Sequence, residues 1–163
     1  MGKKLQLKNN TSYNKDLPNR AFEFTKIKRK ISLPQSELFK DIVAIDLDGI
    51  YLDLHNEYDC IRLAYNAAYN EFRLTFKRIN LATDANYSLV DLVFIDAVME
   101  TCLFVLDGDV SNEFKTIDLI YRGRFENETA LAEFDGSGRS LYYIVFYSGI
   151  ELKVFATSLI VEL

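Results

Sequence analysis

Asp48-Gly49 stands between two runs in which apolar and polar residues alternate, and no other feature of the chain constrains its fold as tightly. A two-residue type I′ turn needs positive φ at both central positions, which Asp followed by Gly accepts, so the dipeptide predicts a β-hairpin. With the turn placed there, Leu47 faces Ile50, Ile45 faces Leu52 and Val43 faces Leu54. Cross-strand partners share a face of the sheet, so all six apolar side chains fall on one side. Ala44, Asp46, Tyr51 and Asp53 fall on the other. One face is suited to a core, the other to water or a partner.

The two-residue period recurs along the chain. Ile61, Leu63, Tyr65 and Ala67 form one stripe against Arg62, Ala64 and Asn66; Phe72, Leu74 and Phe76 form another against Arg73, Thr75 and Lys77. Ile117, Leu119 and Tyr121 follow. Residues 141–147 are apolar or aromatic at both parities, as in a strand buried on both faces or one carrying an aromatic contact surface. Ser148-Gly149 is a turn, and residues 150–163 read as one long final strand. Over 88–106, Leu92, Ile95, Met99, Cys102 and Leu106 recur at helical spacing behind a Ser88/Asp91 capping box. Val93, Phe94, Val98, Phe104 and Val105 fill the remaining faces, which predicts two buried strands with a break near 97–100.

Successive strands at hairpin spacing predict a mainly β fold: an antiparallel β-sandwich or partly open barrel of successive hairpins, with minor helix. At 163 residues, 49% of them hydrophobic, one such domain can bury a core. Residues 1–20, rich in Lys and Asn and without period, read as a basic flexible arm; residues 21–163 read as a single β-rich domain whose first segment, 21–33, is an edge strand. No run approaches 18 apolar residues, and the first residues carry no apolar signal-peptide core, so the expected location is cytoplasmic, without membrane contact.

Charge is unevenly placed. Residues 1–40 hold ten basic and three acidic residues, whereas 41–163 hold nine basic and 21 acidic ones. Lys26, Lys28, Arg29 and Lys30 form a short basic run interleaved with Ile27 and Ile31 and attached to an acidic body that repels phosphate, so no nucleic-acid partner is expected. The acidic body points to a basic protein partner.

Cys60 and Cys102 lie far apart in sequence and read as reduced, buried thiols, and His55, the sole histidine, reads as an exposed loop residue. No cofactor and no nitrogen–sulfur metal site is expected from so few ligands. Gly136, Ser137 and Gly138 read as a hairpin loop, since they lack phosphate-loop spacing. Carboxylate chemistry has one foothold. The apolar strand over 43–47 followed by Asp48-Gly49 resembles the first motif of haloacid-dehalogenase-type phosphohydrolases, although Ile50 stands where that family has Thr. The resemblance implies a Mg²⁺-dependent phosphohydrolase with Asp46 as nucleophile and Asp48 as general acid–base.

A wider pattern runs from Leu38, Phe39, Lys40 and Asp41 through the strand ending at Asp46, Asp48 and Gly49. It continues with Phe72, Leu74 and Phe76 and closes with Tyr147-Ser148-Gly149 and the strand over 154–161. This order of pieces resembles small β-rich bacterial immunity-type proteins of polymorphic toxin systems. The resemblance implies a non-catalytic inhibitor that neutralises a basic toxin by protein–protein contact. Charge clustering makes Asp46, Asp48, Asp53, Glu57 and Asp59 the candidate partner-binding carboxylates, with Tyr51 as an aromatic anchor. A third reading uses the ten Tyr and twelve Phe to line a β-barrel for a small apolar ligand.

Overall fold

The computed structural model describes residues 30–32, 43–47, 49–79, 87–104, 115–126 and 129–163. The arm expected over 1–20, most of the edge strand expected over 21–33, the opening at Leu38 to Asp41, and Asp48 lie outside these residues. The described strands, in chain order, are β1 (Lys30–Ser32), β2 (Ala44–Leu47), β3 (Ile50–Asp53), β4 (Tyr58–Asn66), β5 (Glu71–Arg78), β6 (Leu89–Ile95) and β7 (Val98–Leu103). They continue as β8 (Ile117–Arg122), β9 (Arg124–Glu126), β10 (Thr129–Leu131), β11 (Ser140–Phe146), β12 (Glu151–Ala156) and β13 (Ser158–Glu162). The fold is mainly β and antiparallel. Among the described residues there is no α-helix, and hence no helix long and apolar enough to cross a membrane.

The first hairpin has the expected register. Leu47 pairs with Ile50, Ile45 with Leu52 and Asp46 with Tyr51, while the Leu54 N–H donates to the Val43 carbonyl at 2.9 Å. Val43, Ile45, Leu47, Leu52 and Leu54 are buried and Ile50 packs against the same core. Gly49 has φ +85°, a conformation that the missing Cβ makes inexpensive.

Two larger sheets supply the rest of the core. One has strand order β1-β13-β6-β5-β4 and the other β7-β12-β11-β8; β2–β3 and β9–β10 are separate two-stranded ribbons. Both large sheets and the first hairpin contribute to one buried cluster. Phe94 on β6 meets Tyr142 on β11 edge-on at 5.2 Å, and Phe72 on β5 lies 5.6 Å from Phe94, so aromatic contact bridges the sheets.

The sheets are joined at a corner. Residues 88–106 do hold two strands, but the break falls at Asp96 and Ala97, and the final run divides at Thr157 into β12 and β13. β6 pairs with β13 on one side of the corner and β7 with β12 on the other. The Thr157 N–H and hydroxyl both donate to the Ile95 carbonyl at 3.0 Å, and Asp96 takes φ +50°. The inward parity changes there: Leu152, Val154 and Ala156 precede the break, Leu159 and Val161 follow it. A single intervening residue turns the chain onto the other sheet while keeping apolar side chains inside.

Two expectations about burial need correction. β7 is largely exposed, because it is an edge strand, with Val98 and Leu103 open to solvent and Cys102, expected to be buried, exposed as well. In β4, a bulge between Cys60 and Arg62 shifts the register, and Ile61, Leu63 and Tyr65 are 50%, 38% and 49% exposed. Leu63 and Tyr65 face the same side as their partners Leu74 and Phe72, but at the sheet edge the core covers them incompletely. Ala67 lies in the following turn. In β11 the even positions Tyr142, Ile144 and Phe146 enter the core, while Tyr143 and Val145 are half-buried on the outer side.

Phe94 is fully buried and touches aromatic rings from two strands, so Phe94→Ala should cost about 3–5 kcal/mol. Denaturant titration should show a lower midpoint at an unchanged slope; a loss below about 1 kcal/mol would contradict the bridging core.

Candidate functional site

The polar face of the first hairpin is exposed as its alternation requires. Asp46 and Tyr51 are cross-strand partners on that face, and Tyr51 is 62% exposed. Beneath them the buried side chains of the same two strands fix the backbone, so the pair sits on a rigid support.

Asp53 shares the face, opposite Ala44, but it has a structural task. Its Oδ1 accepts the Asn56 backbone N–H at 3.0 Å and its Oδ2 accepts the Asn56 side-chain amide at 2.9 Å, which closes the β3–β4 turn. Burial raises its pKa, but the two Asn56 hydrogen bonds and the His55 charge outweigh that and leave it below the ordinary value.

Glu57 is engaged elsewhere: it accepts from Arg78 Nη2 at 2.6 Å, and the Arg78 guanidinium stands 5.6 Å from the Tyr58 ring centre. Asp59 lies on β4 opposite Lys77, facing outward because Tyr58 and Cys60 face in. The structure therefore brings together Asp46, Tyr51 and Asp53 on one face, places Glu57 in the turn that follows, where its N–H donates to the Asp53 carbonyl at 3.0 Å, and puts Asp59 on β4. Asp48 lies outside the described residues.

Three tertiary contacts among charged and polar groups were not expected from sequence. Arg73, on the outer face of β5, reaches Glu71 at 2.9 Å, Asp91 at 2.7 Å and Glu162 at 2.7 Å. Alternation put Arg73 on a wet face, but Glu162 is 89 positions away and only strand order brings β13 near. Burial opposes the charge on Arg73, yet the carboxylates raise its pKa well above the usual guanidinium value.

Arg139 binds Asp96 at 3.0 Å and Asp135 at 2.8 Å, fastening the 135–139 loop to the corner. The loop over Gly136 to Gly138 is thus a turn capped by Asp135 Oδ1, which accepts the Ser137 and Arg139 N–H groups at 2.9 Å. His55 is half-buried rather than freely exposed. Its Nδ1 donates to the Ile117 carbonyl at 2.8 Å and its ring lies 5.2 Å from that of Tyr147, so it ties the β3–β4 turn to β8 and to the turn after β11.

Carboxylates and thiols do not converge into a metal-holding group among the described residues. Asp46 sits in an antiparallel hairpin, whereas the phosphohydrolase motif needs a strand that leads into a helix. No family model, no curated protein and no solved structure matches the chain.

Two measurements follow from the titratable groups. Burial pushes the Cys60 thiol up to about 12, while Cys102 is exposed. A thiol reagent at pH 8 should therefore modify Cys102 alone in the native protein and Cys60 only after denaturation. Equal native rates would contradict the packing at Cys60. Asp135 is raised by burial but pulled further down by the Arg139 and Ser137 hydrogen bonds, so like Asp53 it has a depressed native pKa. Each contributes stability above the ordinary Asp value of about 3.9, and that contribution is lost as pH falls through the native value. Carboxyl NMR titrations should give both midpoints below about 3.9; a midpoint at or above it would remove the cap.

Proposed function

We propose that the chain is a non-catalytic protein-binding domain, and that its immunity-type version is an inhibitor neutralising a basic toxin by direct contact. The observation that carries this reading is the Asp46–Tyr51 pair: a carboxylate beside a tyrosine 62% exposed, on a hairpin whose opposite face is locked into the core. Tyrosine supplies a large amphipathic contact at low entropic cost, and rigid anchors lose little freedom on binding. The body over 41–163, with 21 acidic and nine basic residues, steers a cationic partner toward contact. Glu57 and Asp53 serve in this reading as fixed charges around the pair, since both are held by hydrogen bonds. The cytoplasm is the compartment that fits two unpaired cysteines.

The test is affinity capture of the cationic protein fraction of a lysate on the immobilised chain, with Asp46→Lys/Tyr51→Ala as the altered surface. Both substituted residues are exposed, so the variant should melt within about 2 °C of the parent. The native surface should retain a basic protein and suppress its activity, and the variant should bind it at least tenfold more weakly. Equal retention by both surfaces, or retention without suppression, would sink the reading.

A further inference from the structure

Arg122 ends β8 and is 6% exposed. Its strand partner is Tyr142, and Ile120 two residues earlier is fully buried, so register directs Arg122 toward the core side of the sheet. Its Nε is buried and has no hydrogen-bond partner. Among the described residues no carboxylate pairs with it, whereas Arg73, Arg78 and Arg139 each hold one at 3.0 Å or less. A guanidinium keeps its charge at any accessible pH, and a buried charge without a counter-ion is strongly unfavourable.

Two further polar groups share the place. Tyr142 is 4% exposed and Ser140, two residues before it on the same face of β11, is 5% exposed. Burial raises the Tyr142 phenol and the Arg122 charge draws it back down, which puts the hydroxyl within the field of the guanidinium. The flanking inward side chains, Ile120, Ile144 and Val154, are apolar and fully buried. β8 is an edge of its four-stranded sheet, and Arg122 is its last residue.

We infer that Arg122, Tyr142 and Ser140 form an anion seat at the end of β8, and that it takes the carboxylate of a small molecule. The planar fork of arginine matches a carboxylate, and one positive charge balances one negative charge. A phosphate dianion would leave excess charge among isoleucine and valine side chains. The seat is independent of the hairpin patch and of the protein-binding reading.

Melting curves of the full chain with sodium octanoate, sodium acetate or sodium phosphate at equal ionic strength test the assignment, together with the assigned Arg122 Nε–H resonance. Octanoate at a hundredfold excess over its dissociation constant should raise the melting temperature by roughly 6 °C and shift the Arg122 resonance. Arg122→Met, which removes the charge at similar volume, should abolish the rise while melting at or above the temperature of the unliganded parent. If that variant fails to fold, the resonance shift in the native chain decides alone. An absent shift, an equal rise in Arg122→Met, or a response to phosphate instead of octanoate would overturn the inference. So would an Nε–H signal already at the position of a charge-paired arginine and unmoved by octanoate, since a carboxylate of the chain itself would then fill the seat.

Discussion

The corner at Asp96, Ala97 and Thr157 is the constraint on which the rest of the structure depends. There a two-stranded ribbon leaves one sheet and enters the other, held by the double donation from Thr157 to the Ile95 carbonyl and by Arg139 on Asp96. A backbone that turns this sharply would leave buried polar groups unpaired without those donors. Because both strands of the ribbon turn together, the inner faces of the two sheets share one core, and Phe94 meets Tyr142 across it.

Charge follows the same architecture. On the outer face of the five-stranded sheet Arg73 gathers three carboxylates, from β5, β6 and β13, and so links these strands. Glu57 and Asp135 are likewise taken up by arginines. Among the described residues Asp46 has no such partner and stands beside an exposed tyrosine, which is why the proposed contact rests on it. Arg122 is the inverse case: a positive charge brought inside by strand register, with no carboxylate paired to it among the described residues.

The first hairpin was legible residue by residue, because Asp48-Gly49 sets the turn and a period of two then assigns every neighbour to a face. β5 was equally clear. β4 was not: its stripe of Ile61, Leu63 and Tyr65 has the pattern of a covered strand, and neither the bulge at Cys60 nor the edge position is written in alternation. The corner leaves a trace in the change of apolar parity between Ala156 and Leu159, which local alternation does not distinguish from a continuous strand. Of the candidate carboxylates, alternation placed Asp46 and Asp53 on the wet face. It had no access to the Asn56 cap or the Arg78 pair that turn Asp53 and Glu57 into structural groups.

The sequence by itself determined the local rules: which residues turn, which face of each hairpin is apolar, and that the fold is antiparallel β. Those follow from steric limits on φ and from the pleat, both of which act within a few residues. Only the tertiary structure decided which strands become edges, where the ribbon bends, that Arg73 gathers Asp91 and Glu162, and that Arg122 is enclosed with no carboxylate of the described residues paired to it. These depend on strand order, which unites residues distant along the chain and is selected by burial of the whole apolar surface at once.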